Sequence, residues 1–450
     1  MKRRTFIQKT SVAGLASSFM PMACVQPVLD TEILILGGGV SGLYLANLLE
    51  KTDKDYILLE GSNRLGGRMF TRQDINREVG GRGIGDRYLQ LMKLIKELDI
   101  NMIDITDYMR EPTAVYVDGK LYPQWSESTT NPSRLQFKAL GKVKQLTALD
   151  EWYQRPDLDE LYSELLKSKG LTEQELNLVN ISANYNDIRE TSAINAYHSM
   201  AFRKFNGSKR VLNFEGGTKT FIDAIADTLS KPVLKNKMVN TIDDSDNKIT
   251  VRCNDGSSYK AKKVVSTLPF TTLRDVKMNT TFTANQEKAI KELQYTAITQ
   301  IHLNHKEAFW EHDKTPLSMW TDTPLERIMN VSSDPVEKEI ACWINGKGTA
   351  FFDTMSETEI AKYTIDKINE IRPSSVGKIE YLGTQNWGKY PFNKGAYVEF
   401  GVGQPSWFKD MIRPTGNMHF AGEHVASKSR GIEAAAESAQ RVFSELMNKK

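Results

Sequence analysis

The residues with the clearest chemical purpose stand near the start of the chain. Gly37-Gly38-Gly39-Val40-Ser41-Gly42 has the spacing G-x-G-x-x-G. In such a run Gly37 permits a tight turn, Gly39 lets a pyrophosphate approach the backbone, and Gly42 lets a helix pack close to the preceding strand. The N–H groups opening that helix, those of Val40 and Ser41 among them, then face the phosphates. Glu60 stands 18 residues after Gly42, with Gly61 behind it. A carboxylate there accepts hydrogen bonds from ribose hydroxyls and repels a 2′-phosphate, which disfavours NADP. NAD and FAD share their adenosine half, so these residues alone do not separate them. Just beyond, Arg64-Leu65-Gly66-Gly67-Arg68 offers a second close approach of backbone, with Arg68 to supply charge to a phosphate.

Such residues need a strand, a turn and a helix to hold them. Ile33–Leu36 is a continuous apolar run, the pattern of a parallel strand covered on both faces. Val40, Leu43, Ala46 and Leu49 recur at helical spacing, and Tyr56–Leu59 reads as the next strand. Residues 110–210 lean helical. Leu161–Lys167 is one helical stretch, and Thr172 with Glu175 has capping-box spacing ahead of Leu176 and Val179. Phe221–Leu229 predicts a helix; Pro232–Leu234, Val239–Ile242, Ile249–Cys253 and Val264–Thr267 predict strands, with a turn at Asn254-Asp255-Gly256. Ala297–Leu303 predicts a strand of another sheet. On it Gln300, His302 and Asn304 share one face, Ile301 and Leu303 the other. Met418–Gly422 predicts a strand and Ile432–Met447 a helix.

Taken together, the glycine turn and Arg64–Arg68, continued by Met69-Phe70-Thr71, resemble the glycine-doublet signature of the flavin amine oxidase superfamily, which includes monoamine oxidases and L-amino acid oxidases. The resemblance continues at separated places. Glu78-Val79-Gly80-Gly81-Arg82 is similar to the segment that passes along the flavin ring. Gly216-Gly217, Val239 and Ser266-Thr267-Leu268-Pro269 are similar to the middle flavin-domain block, with Val239 where the family's backbone contacts adenine. Phe420-Ala421-Gly422-Glu423-His424 resembles the closing motif, in which the Glu binds the ribityl chain. Gly431-Ile432 then opens a final helix whose N-terminus would stabilise negative charge on the reduced ring.

The resemblance implies FAD as cofactor and an α+β fold with a discontinuous Rossmann-like FAD-binding domain of the glycine-doublet type. That domain is expected from residues 29–90, 207–285 and 410–450. A substrate domain of mixed sheet plus helices is expected from residues 91–206, largely helical, and 286–409. The implied reaction is oxidation of an amine, with an L-amino acid favoured, by hydride transfer to flavin. The imine so formed is hydrolysed to an oxo product and ammonia.

Trp387 and Tyr397 match the family's aromatic segment, with Tyr397 at the tyrosine that stands against the flavin. Arg82 could grip a substrate carboxylate, although the arginine of L-amino acid oxidases falls one residue later; contact with flavin or a structural acid is the alternative. Two departures bear on the chemistry. The family places a lysine ten residues before a Phe-Trp tryptophan, and here Gln300 precedes Phe309-Trp310 at that distance. Gln300 could hold a water near the flavin but brings no charge. Oxygen, with hydrogen peroxide as product, therefore competes with a redox protein as electron acceptor. Secondly, the aromatic residue that closes the cage in monoamine oxidases falls near Gly431. Two rivals keep the flavin. One is a desaturase or porphyrinogen-type oxidase, against which the Trp387–Tyr397 segment argues; the other is a flavin-binding protein without turnover.

Composition sets the remaining bounds. Of 450 residues, 40% are hydrophobic and 26% charged, ordinary for a globular chain of two or three domains. The net charge of +3 includes Lys2, Arg3, Arg4 and Lys9; removing those four of 59 basic residues leaves 55 against 56 acidic ones. No nucleic-acid partner is indicated, and no apolar run after the first 28 residues is long enough to span a membrane. Residues 1–28 resemble a twin-arginine export signal, which carries proteins already folded around a cofactor and implies a periplasmic or secreted protein. Pro21 argues against lipid attachment at Cys24, which stays open. Cys253 and Cys342 are isolated, each expected as a small buried hydrophobe, with a disulfide between them undecided. His302 and His305 have opposite strand parity and no metal spacing is present; His424 is expected to pack near the cofactor. A homodimer is left open.

Overall fold

The computed structural model describes residues 28–107, 111–123, 133–141, 146–244, 247–332 and 339–448. The export signal, apart from its last residue, and Cys24 lie outside them. Along the chain β1 (Leu29–Leu36) leads through a turn into α1 (Val40–Leu49) and β2 (Tyr56–Leu59), followed by β3 (Ala114–Val117) and β4 (Ser258–Ser266). Next come β5 (Ile298–His305), β6 (Met319–Thr321), β7 (Arg327–Asn330), β8 (Ile340–Asn345), α2 (Glu357–Ile371) and β9 (Ile379–Asn386). The chain closes with β10 (Tyr397–Glu399), β11 (Met418–Phe420) and α3 (Gly431–Met447).

One seven-stranded sheet runs in the order Lys277–Asn279, Val239–Asp243, Ile249–Cys253, β4, β1, β2, with β11 also beside β4. β1 lies parallel to both β4 and β2, and β11 parallel to β4. The apolar run of β1 is continuous because both faces are covered. Ile33 and Ile35 pack with Leu43 and Ala46 of α1 and Ala439 of α3, while Leu34 and Leu36 pack with Val264, Phe270 and Phe420. Gly37, Glu60, Thr267 and Gly422 each follow a parallel strand of this sheet, so they gather at its carboxyl edge, where ligands of open α/β sheets bind.

A second seven-stranded sheet has the order β9, β5, β8, β7, β6, β3, Lys120–Tyr122. Ile301, Leu303, Ile328, Ile340, Cys342 and Ile344 give it one apolar face, which packs on α2 through Ile360, Ile368 and Ile371. The alternation expected for Gln300, His302 and Ile301 is thus present. Residues 110–210 hold more than helices, because Ala114–Val117 pairs with β6 and so extends this sheet. The capping box does form: Thr172 Oγ1 accepts the Glu175 N–H at 3.3 Å and Glu175 Oε2 accepts the Thr172 N–H at 2.8 Å. Pro232–Leu234 is not a strand. Leu234 makes only an isolated bridge to Leu59, since Pro lacks the N–H that would continue a ladder. Cys253 and Cys342 are free and buried, one in each sheet.

Candidate active site

One cleft runs from the carboxyl edge of the first sheet to the second face of the other. Gly37, Gly39, Val40 and Ser41 line its start. α1 has Gly39 at its N-cap and no side-chain cap, and the first helix N–H to find an acceptor is that of Leu43, on Gly39 O at 3.0 Å. The N–H groups of Val40, Ser41 and Gly42 have no acceptor among the described residues, and the buried Ser41 hydroxyl is also unpartnered. These orphaned donors fit an anion such as a pyrophosphate. Gly42 itself does not reach the cleft; it is where α1 meets the backbone of Gly37.

Glu60 borders the same cleft, with Gly61 and Val239. Its Oε2 accepts the Gly38 N–H and its Oε1 the Ser62 N–H, both at 2.7 Å. Two backbone donors therefore aim the carboxylate and leave it further lone pairs for ribose hydroxyls. Glu60→Ala is expected to weaken FAD retention by roughly 10- to 100-fold, the worth of hydrogen bonds to a charged group. Flavin content after dilution and gel filtration checks this, and unchanged content would remove Glu60 from the ribose site.

The second glycine loop is tied to the first by the Gly66 N–H, which donates to Gly38 O at 2.9 Å. A Cβ on Gly67 would lie 3.3 Å from Gly39 Cα at a φ of +59°, so the two loops meet backbone to backbone. Arg64 shapes this loop: Nη2 donates to Gly67 O at 2.7 Å, Nε to the Tyr390 hydroxyl at 3.1 Å, and the guanidinium sits 3.7 Å over the Phe70 ring. Arg68 bridges to the far end, pairing with Glu423 at 3.1 Å and donating to Ala396 O at 2.6 Å. Glu423 in turn accepts the Val398 N–H at 3.3 Å, one residue past Tyr397.

The far end is lined by Gly80, Gly81, Gln300, Trp343, Trp387, Tyr397, Gly431 and Ile432. Trp387 is 3% exposed; its Nε1 donates to Val79 O at 2.8 Å, bracing the Gly80-Gly81 segment from behind. Burial and the nearby Glu423 raise the Tyr397 phenol, and the charges of Arg327, Arg68 and Arg82 only partly oppose them, so the hydroxyl keeps its proton at neutral pH. Gln300 Oε1 lies 3.1 Å from His302 Nε2. Burial, helped by Arg82, Arg77 and Arg72, drives His302 down to about 3, so the imidazole is neutral and its Nε2–H donates to Gln300. The Gln300 NH2 group is then the donor left for the cleft. A side chain at Gly431 would meet no atom within 4 Å, which leaves that side of the chamber open.

Arg82 does not line the cleft, and its Nη1 donates to the Val331 carbonyl. His424 is a packing residue, buried with its ring 4.5 Å from that of Phe270 and held neutral by burial at about 3. Trp343, Asn345 and Arg327 carried no sequence signal of their own. They enter through strand register, since Gln300 stands opposite Trp343 and Trp343 opposite Arg327.

The profile of the flavin containing amine oxidoreductase family matches residues 40–446. The flavin-dependent L-tryptophan oxidase RebO of Lentzea aerocolonigenes is 24% identical over 471 residues, covering 91% of this chain and 96% of its own length. Amine oxidase [flavin-containing] A of Canis lupus familiaris is 23% identical over 460 residues, covering 93% and 85%. A solved putrescine oxidase bound to putrescine superposes with a TM-score of 0.77 at 17% identity, covering 94% of this chain and 100% of that one. The chain belongs to the flavin-containing amine oxidoreductase family. It is a FAD-dependent oxidoreductase acting on amines. Among the described residues no helix is long and apolar enough to cross a membrane.

Proposed function

We propose that the protein oxidises an L-amino acid at the carbon bearing the amine, releasing an imine that water hydrolyses to an oxo acid and ammonia. The observation that carries this is the chamber at the end of the dinucleotide cleft. Trp343, Trp387 and Tyr397 wall it, Gln300, backed by the buried and neutral His302, gives it a polar group, and Arg68, Arg82 and Arg327 outnumber Glu423 among the charges acting on Tyr397. When bound, FAD supplies the acceptor for the hydride. The residues do the rest. The aromatic walls exclude water, and the surrounding positive charge favours the unprotonated amine that hydride loss requires. Gln300 offers an NH2 donor that can hold a water or the substrate nitrogen without trapping either by charge. The same field attracts a carboxylate, which favours an amino acid over a simple amine.

Mixing the holoprotein anaerobically with a panel of amines and L-amino acids tests this. Bleaching of the flavin band by an amino acid is the expected result, and no bleaching by any compound would overturn the proposal. Gln300, standing where relatives keep a lysine implicated in oxygen reactivity, favours a redox protein as acceptor, in keeping with the twin-arginine pattern and a periplasmic site. Re-admitting air, or adding a cytochrome instead, decides the acceptor. Gln300→Lys is expected to speed reoxidation by air; an unchanged rate would separate residue 300 from oxygen chemistry.

A further inference from the structure

Gln300 brings an amide to the far end of the cleft, and His302, two residues on along the same face of β5, bonds it at 3.1 Å. The two ends of an amide behave oppositely: the oxygen accepts and the NH2 donates. Which end turns to the cleft therefore decides what the cleft can hold.

The surroundings of His302 settle that choice. Its side chain is 1% exposed, and Nδ1 is buried without a hydrogen-bond partner among the described residues. Directly opposite it stand Ala341 on β8 and Gly383 on β9, neither with a polar side chain. The turn between Thr71-Arg72 and Arg77-Glu78 covers this part of the sheet. A Cβ on Gly383 would lie 3.2 Å from Arg72 Nη2 and 3.4 Å from Ile75 Cγ2. The charged groups there are Arg72, paired with Asp74 at 2.6 Å, Arg77, paired with Glu339 at 3.7 Å, and Arg82, bonded to the Val331 carbonyl. Guanidinium groups offer donors and no acceptor. Burial and these three cations keep the imidazole neutral, down at about 3.

A neutral imidazole carries one hydrogen. On Nδ1 it would be a buried donor with nothing to accept it, which folded proteins rarely tolerate. On Nε2 it is satisfied by Gln300 Oε1. The amide oxygen is thus drawn to His302, and the NH2 is left to the cleft. An NH2 there donates to the lone pair of a free amine and opposes the N–H groups of an ammonium. An oxygen there would do the reverse, and would hold a form with no lone pair to make the C=N bond as hydride leaves.

We infer that His302 is a positioning residue that fixes the Gln300 amide with its NH2 toward the substrate, so that the site takes the amine unprotonated and turns away the ammonium. This rests on amine oxidation alone and holds for simple amines and amino acids alike.

Two measurements on FAD-loaded protein test it. The first needs no substrate: long-range 1H–15N spectra of protein labelled at the histidine ring nitrogens, with His302→Gln supplying the assignment. A neutral ring protonated at Nε2 from about pH 5 to 8 is expected. Protonation at Nδ1, or titration within that range, would overturn the inference.

The second uses the amine or amino acid that bleaches the wild type most fully without oxygen. Below the pKa of that amine, its half-saturating total concentration should rise about tenfold per pH unit while the limiting rate stays level. His302→Leu frees the amide to turn, so ammonium is held too. The rise should then flatten to under about threefold per pH unit, and the limiting rate should fall instead. In a Gln300→Leu background, His302→Leu should alter the pH dependence no further, because its effect passes through residue 300. A His302→Leu profile parallel to the wild type, with only flavin content or melting temperature lowered, would make His302 structural and overturn the inference. An equal shift in the Gln300→Leu background would also overturn it. If His302→Leu fails to load FAD, the spectra of the wild type decide. Bleaching only by amines without a carboxylate removes the amino acid reading and leaves this inference standing; bleaching by nothing removes both.

Discussion

Gly42→Ala is expected to yield a protein that purifies without its flavin. A Cβ at this position would lie 2.0 Å from the Gly37 carbonyl oxygen and 3.4 Å from Ile35 Cγ2. The oxygen is backbone, held where β1 ends because the Gly37 N–H donates to Leu59 O at 2.7 Å. No flexible side chain can give way, so α1 must move off β1. That shift moves the orphaned N–H groups of Val40, Ser41 and Gly42 together, along with the Ser41 hydroxyl. A pyrophosphate held by several aligned donors loses them all at once, and retention should fall by more than about 100-fold. Overpacking adds a stability loss of about 1–3 kcal/mol. Absorbance near the flavin band after desalting, beside a thermal melt, checks both. Normal flavin content would show that the turn has slack the packing does not suggest.

Arg372→Met should produce the largest loss of stability away from the cofactor, about 3–5 kcal/mol, as when one partner of a buried ion pair is removed. Arg372 is 2% exposed and follows α2 directly. Nε and Nη2 grip both oxygens of Asp313 at 3.0 and 2.7 Å, Nη1 donates to Pro316 O at 2.8 Å, and Nη2 to Thr315 O at 2.9 Å. The helix backing the second sheet is thereby clamped to the loop entering β6, next to the strand of Arg327. The effect has a pH signature. Burial raises the Asp313 carboxyl, but its bonds from Arg372 and Ser374 outweigh burial and leave it below the usual carboxylate range. The pair therefore stabilises fully above that range and loses its contribution as pH falls through the lowered pKa. In the variant only the bonds from Ser374 and Thr315 remain against burial, so the carboxylate is held less strongly in its charged form. Urea unfolding at pH 7 and at about pH 2–3, below the ordinary aspartate value, should show the difference between the proteins narrowing toward acid. A loss under about 1 kcal/mol at pH 7 would mean the clamp is dispensable.

How much could be read from the chain follows the range of the interactions concerned. β1, the glycine turn and α1 are legible because their signals are local: an apolar run, three glycines at fixed offsets and a helical repeat within seventeen residues, 33–49. The capping box at Thr172 is legible for the same reason, its two bonds spanning three residues. Pro232–Leu234 misled because its apolar ends suit a strand, while a missing N–H and a single bridge to Leu59 leave it outside the sheet. β3 forms a hairpin with Lys120–Tyr122 across Asp118-Gly119, a local signal inside the stretch read as helical, while its other partner, Met319–Thr321, lies some two hundred residues on.

The cofactor and the polar face of β5 were thus present in the residues themselves: Gly37 to Gly42, Glu60, the second glycine loop and the alternation of Gln300 with Ile301. Tertiary structure decided which side chains gather at the far end of the cleft. Register across β5, β8 and β7 set Gln300, Trp343 and Arg327 in one row. Burial lowers the His302 imidazole and raises the Glu326 carboxyl. Register and burial arise only when distant strands meet, so neither is legible in any single stretch of the chain.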